Sequence, residues 1–152
     1  MLFRSGATSI GDYCTIGGEV KNSVLQDYSN KAHDGYLGDS VLGSWCNLGA
    51  GTSNSNIKNT AGNVMVQLSA TSQKINAGTK AGLIMGDYSR AAINTSFNTG
   101  TVVGVCSNIF GDNNPPKFID NFTWGNEPYD FEKAITHIQN WIDRKSVVRE
   151  RV

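Results

Sequence analysis

The feature that most limits how this chain can fold is a period of six. Stepping by six from Met85 gives Met85, Ala91, Phe97, Val103 and Ile109, and the residues that follow them are Gly86, Ala92, Asn98, Gly104 and Phe110. A second phase runs Tyr36, Leu42 and Leu48, followed by Leu37, Gly43 and Gly49; Ile10-Gly11 and Ile16-Gly17 are again six apart. Such a period fits neither an amphipathic helix nor a simply alternating strand. It fits a short strand and a tight turn, repeated, with the aliphatic residue inward and a small residue relieving the bend. Three hexads make one triangular coil of a parallel β-helix, in which each coil buries its aliphatic residues on those of its neighbours. Asn, Asp, Gly and Ser are expected at the corners, where turn and left-handed conformations are needed.

The repeat breaks between about Asn54 and Gly82. Val64, Val66 and Leu68 alternate there, and Lys74 to Lys80 offers a return strand, so an inserted hairpin over about 57–82 is expected. Asn113-Asn114-Pro115-Pro116 ends the hexads, because two prolines cannot continue a hydrogen-bonded ladder. Phe118, Ile119, Phe122 and Trp124 then read as an irregular apolar cap across the open end. From about Asp130, a reasonable N-cap, the period turns helical, with Phe131, Ala134, Ile135, Ile138 and Ile142 on one face. His137 on this helix reads as a partly exposed helical histidine. The domain reading is thus a β-helix over 6–114 and a capping segment with C-terminal helix over 115–142.

The two ends read differently. Leu2-Phe3-Arg4-Ser5 can be encoded by ctcttccgatct, and Asp143-Arg144-Lys145-Ser146 by gatcggaagagc. The string ctcttccgatc is the reverse complement of gatcggaagag. Residues 1–5 and 143–152 are therefore expected to be sequencing-adapter scars and the chain a fragment of something longer.

Charge excludes two partner classes. Thirteen Lys and Arg balance thirteen Asp and Glu, which removes the electrostatic case for nucleic acid or an anionic membrane surface. No apolar run approaches the roughly 20 residues of a membrane span. Cys14, Cys46 and Cys106 are odd in number, with no CxxC, so neither a disulfide framework nor a structural zinc is expected and a reducing cytoplasm fits. No metal-ligand cluster is visible.

The segment from Glu19 to Asn56 carries the chemistry. It holds Lys31-Ala32-His33-Asp34-Gly35-Tyr36-Leu37-Gly38-Asp39 and Asn47-Leu48-Gly49-Ala50-Gly51-Thr52. On residue type alone, His33 is a solvated corner residue, Tyr36 a packing residue, Asn47 and Asn56 turn formers, and Lys21 a surface lysine. The arrangement, however, resembles the C-terminal acetyltransferase domain of the bifunctional N-acetylglucosamine-1-phosphate uridyltransferase and glucosamine-1-phosphate acetyltransferase family. It is similar also to the related archaeal and Bacteroidetes-type sugar-1-phosphate nucleotidylyltransferases. The match from Glu19 to Asn56 needs no gap.

The resemblance implies an all-β fold, a left-handed parallel β-helix of hexapeptide repeats, assembled as a homotrimer with its site in the cleft between subunits. It implies that an acetyl group passes from acetyl-CoA to the amine of an amino-sugar-1-phosphate. His33 matches the general base, and an imidazole with a pKa near 6.5 suits proton removal from the attacking amine. Tyr36 and Asn47 match residues that hold the sugar, Lys21 one that pairs with its phosphate, and Asn56 one on the acceptor side. The backbone at Ala50 matches the place of the acetyl group, where an N–H can steady the developing oxyanion. Any magnesium belongs to a nucleotidylyltransferase domain missing here, whose glycine-rich start this sequence lacks.

There are departures from the family pattern. Gly62 stands where the family has a second lysine, although Lys58 is close by, and Arg4, at the family's arginine position, falls in the suspected scar. On the donor side Ile93 replaces a serine and Gly111 an alanine. The acceptor half is kept and the donor half altered. Three readings remain open: an acetyltransferase domain, a non-catalytic trimerisation or regulatory β-helix of a nucleotidylyltransferase, and a solenoid binder unrelated to sugar nucleotides.

Overall fold

A computed structural model describes residues 7–149. The suspected leading scar and the last three residues of the trailing one lie outside the described residues. The hexads form the expected parallel β-helix of stacked three-sided coils. One face is a six-stranded parallel sheet of Ser9–Ile10, Val24–Leu25, Val41–Leu42, Ile84–Met85, Val102–Val103 and Phe118–Ile119. The second stacks Thr15–Ile16, Asn30–Lys31, Asn47–Leu48, Arg90–Ala91, Asn108–Ile109 and Thr123–Trp124. The third pairs Glu19–Lys21 with Tyr36–Gly38, and Ser53–Asn54 with Ser96–Phe97.

The interior is the inward row of each face. Leu25, Leu42, Met85, Val103 and Ile119 come from the first, Leu48, Ala91 and Ile109 from the second, and Val20, Leu37 and Phe97 from the third. The hexad phase from Met85 to Ile109 is therefore inward throughout. The Tyr36 phase shifts by one: Leu37 is buried, and Tyr36, half-buried, faces outward. Buried serines tie coils together across the interior, as where the Ser40 N–H donates to Ser23 Oγ at 3.2 Å.

The insertion is the expected hairpin, with Met65–Val66 antiparallel to Ile75–Asn76. It folds back on the outside of the first face, where Val64 and Val66 bury against Val102, Ile84 and Phe118. Leu68, in the same alternation, stays exposed.

The segment after the prolines corrects the capping expectation. Phe118–Ile119 and Thr123–Trp124 extend the first two faces as a terminal coil. The prolines stand on the third side, which has no strand pairing at that level, so their missing N–H groups break no ladder. The preceding Asn113 carbonyl still accepts from the Ser96 N–H at 2.6 Å.

The corner between the first and second faces is the second correction. Tyr13, Tyr28, Trp45, Tyr88, Cys106 and Phe122 occupy it with φ of 59°, 63°, 62°, 59°, 53° and 52°. Left-handed backbone costs a bulky residue roughly 1–2 kcal/mol. Stacking offsets that cost. Ring centroids lie 5.1 Å apart for Tyr13–Tyr28, 4.5 Å for Tyr28–Trp45 and 5.6 Å for Trp45–Tyr88, close to the coil spacing of about 4.8 Å. Asp27, Asp87 and Asn121, which precede Tyr28, Tyr88 and Phe122, also hold the turn, as where Asp87 Oδ1 accepts from the Ser44 N–H at 2.7 Å.

The C-terminal helix, Phe131–Arg149, is capped by Asp130, whose Oδ1 accepts from the Lys133 N–H at 2.9 Å. It runs beyond position 142 because nothing in 143–149 breaks a helix, and it lies along the second face. Its inward stripe is buried Ala134 with half-buried Ile138 and Trp141, and the Arg90 guanidinium lies 3.9 Å over the Trp141 ring. Phe131 and Ile135, expected inward, are exposed. The bulkier Trp141 sets the rotation of the helix instead.

Candidate functional site

The turn from the second face to the third carries His33. Residues 32–35 connect Asn30–Lys31 to Tyr36–Gly38, and His33 is exposed on this corner. Gly35 makes the turn possible: its φ is +120°, and a Cβ there would lie 2.0 Å from the Thr52 carbonyl oxygen. The corner one coil further holds Ala50, tied to the first by the Gly51 N–H donating to the Asp34 carbonyl at 3.1 Å. Beyond it, the Ala50 carbonyl accepts from the Asn94 N–H at 2.8 Å. His33, Ala50 and Ile93 thus lie on successive corners of one ridge, and Ile93 is 63% exposed. An open groove of about 470 Å³ runs along its lower end, lined by Glu19, Asp34 and Tyr36.

Beside this ridge the third face builds a polar cluster. The Asn56 Nδ2 group donates to the Tyr36 hydroxyl at 3.0 Å and to Asp39 Oδ2 at 2.5 Å. Asn22 Nδ2 lies 3.5 Å from Asp39 Oδ1. The Tyr36 ring folds back over Gly38, where a Cβ would meet its hydroxyl oxygen at 2.0 Å. Gly38 is held in turn by Asn54, whose side chain bonds both its N–H and its carbonyl, at 2.9 and 3.0 Å. Burial raises the Tyr36 pKa, and the negative charges of Asp39 and Glu19 add to the rise, while the Asn56 bond opposes it. The phenol is a neutral hydrogen-bonding group at ordinary pH. Lys21 is exposed on the same face, paired in register with Gly38.

Tyr36 and Asn56 are therefore joined directly, Lys21 shares their face, and His33 and Ala50 flank it on stacked corners. Asn47 stands elsewhere, on the second face. Its Oδ1 accepts from Asn30 Nδ2 at 2.8 Å, and it lines a groove of about 480 Å³ beneath the C-terminal helix with Tyr28, Trp45, Arg90 and Trp141. Lys58 lines a separate groove with Lys117 and Thr60. Arg4 lies outside the described residues. Among the described residues no cluster of His, Cys, Asp and Glu is arranged to hold a metal, and no helix is long and apolar enough to cross a membrane.

One residue escaped the sequence reading, and the reading of another is corrected. Asp39 is the hub of the polar cluster, and the signal was present: Asn22, Asp39 and Asn56 are spaced by 17, one coil each. Lys31 reads from the sequence as a basic group near His33, open to a phosphate. It is in fact 1% exposed, pointing into the solenoid. It holds an inward hexad position opposite Ile16, and its ammonium reaches the carbonyls of Gly17, at 3.3 Å, and His33.

No protein-family profile matches the chain. Individual proteins do. Over 86 residues it is 35% identical to the bifunctional protein GlmU of Methanocaldococcus jannaschii, covering 57% of this chain and 21% of that protein. Over 53 residues it is 51% identical to the bifunctional protein GlmU of Synechococcus elongatus, covering 34% of this chain and 12% of that protein. The GlmU of Methanococcus aeolicus is 33% identical over 86 residues, which cover 57% of this chain and 20% of that one. The chain thus spans about a fifth or less of the length of these relatives. The resemblance seen in the motifs extends to sequence similarity with part of these GlmU proteins.

Proposed function

We propose that this chain is the acyl-transfer part of a bifunctional sugar-1-phosphate enzyme of the GlmU kind, working in the cytoplasm as a homotrimer. The amine nitrogen of an amino-sugar-1-phosphate attacks the thioester carbonyl carbon of acetyl-CoA. His33 takes the proton from that nitrogen, the C–S bond breaks, and CoA leaves as the thiol, regaining a proton. Lys21 pairs with the sugar phosphate as a point charge. Tyr36 and Asn56, already joined to Asp39, present a fixed hydroxyl and amide to the sugar ring. The Ala50 backbone steadies the oxyanion. In this reading Asn47 serves the cleft of an adjoining subunit, because it stands on a different face from Tyr36. Magnesium belongs to the nucleotidyl-transfer part, outside this chain.

The observation that carries the reading is the stacking of the His33 and Ala50 corners beside the Tyr36–Asn56–Asp39 cluster. The test is thiol release from acetyl-CoA with glucosamine-1-phosphate. Turnover is expected, and His33→Ala should cut it by about 10²–10⁴-fold, the usual worth of a general base. Full activity in His33→Ala removes the mechanism, and no release by the unaltered protein removes the reaction. A second reading, a non-catalytic trimerisation module, is favoured by exposed Ile93 where the family has serine on the donor ridge. Trimer formation without thiol release would select it.

A further inference from the structure

A lysine inside a β-helix is costly to bury. Ile16 and Leu48 precede and follow Lys31 in the inward row of the second face, and an aliphatic side chain would fill the same space without a charge to desolvate. Burial lowers the Lys31 pKa, against the opposing pull of Asp34. Its ammonium nevertheless has two acceptors. It donates to the carbonyl of His33 and, at 3.3 Å, to that of Gly17. Gly18 beneath it leaves the room, since a Cβ there would approach Nζ to 3.1 Å. The cation thus ties two successive corners together from within. It also turns the peptide plane after His33 inward, which constrains the backbone from which the imidazole projects outward.

From this geometry we infer that Lys31 is a positioning residue. Held inside the solenoid, it fixes the corner that presents His33 and never touches substrate. The inference rests on the catalytic role given to His33 above, but the tether itself does not.

The test compares Lys31→Met and Lys31→Arg with the unaltered protein. Methionine keeps the volume and removes the donors. It is expected to lower kcat for acetyl transfer about 10- to 100-fold, the cost of a misplaced catalytic group, with the KM of both substrates held within about threefold. Arginine, which restores a donor, is expected to recover part of kcat. Lys31→Met added to His33→Ala should cost little more than His33→Ala alone, since Lys31 acts only through that imidazole. The imidazole NMR signals supply a readout that needs no turnover: Lys31→Met should shift or broaden His33 and leave His137 unchanged. A Lys31→Met protein with unaltered kcat and an unaltered His33 signal overturns the inference, as does a loss that appears only in KM or multiplies independently with His33→Ala. If the unaltered protein transfers no acetyl group, the catalytic reading fails, and the His33 signal alone decides the tether. If Lys31→Met does not fold, the unaltered protein decides. A slowly exchanging Lys31 ammonium with through-bond coupling to the His33 carbonyl supports the tether, and its absence refutes it.

Discussion

The aromatic corner gives the sharpest stability prediction. Trp45 is stacked on both sides, by Tyr28 at 4.5 Å and Tyr88 at 5.6 Å, in a backbone with φ of 62°. Trp45→Ala removes two ring contacts worth about 0.5–1.5 kcal/mol each, together about 1–3 kcal/mol. The lost burial of a half-buried ring adds about 1 kcal/mol. Alanine keeps a Cβ, so the left-handed strain stays. Trp45→Gly removes the same contacts but relieves that strain, and should be about 0.5–1 kcal/mol more stable than Trp45→Ala. This inverts the usual order of the two residues within a structured element. The assay is urea unfolding at one protein concentration, so that assembly does not shift the midpoint. In a parallel thermal melt the Tm of Trp45→Ala should fall by about 4–16 °C. Tyr88→Ala should couple to Trp45→Ala, whereas Tyr13→Ala, which contacts Tyr28 instead, should add to it within about 0.5 kcal/mol. If Trp45→Gly is less stable than Trp45→Ala, or if Trp45→Ala shows no coupling to Tyr88→Ala, the argument that stacking offsets the backbone strain is refuted.

Three other outcomes follow from the packing. Gly35→Ala puts a Cβ 2.0 Å from the Thr52 oxygen at a φ of +120°, so thermal melts should show a loss of several kcal/mol, on the order of a core truncation. Leu48→Ala, in the inward row, should cost about 2–5 kcal/mol by the same measurement. Burial pushes the Cys46 thiol up to about 12 from 9.0. Below pH 9 the thiol is protonated folded and unfolded, and its contribution is intact. Between pH 9 and 12 only the unfolded thiol ionises, so stability falls by up to roughly 1.4 kcal/mol per pH unit. Cys46→Ala should flatten that alkaline slope, and an unchanged slope in denaturant titrations contradicts it.

Much of this molecule is determined by sequence alone. A period of six admits one kind of coil, so the inward residues from Met85 to Ile109, the hairpin around Val64 and Val66, and the Asp130-capped helix are all legible in the order of residues. So is the row Asn22, Asp39, Asn56, once a coil is counted as 17 residues. What sequence does not decide is which side chains meet across coils. Trp45 stacks on Tyr88, 43 residues away, only because the hairpin is looped out and the coil resumes in register. Whether Tyr36 or Leu37 turns inward is a shift of one residue that the period tolerates and packing resolves. Lys31 reads as a surface charge because lysine is rarely buried. Only the assembled corners, with the carbonyls of Gly17 and His33 converging inside, give its ammonium partners and so decide that it points in.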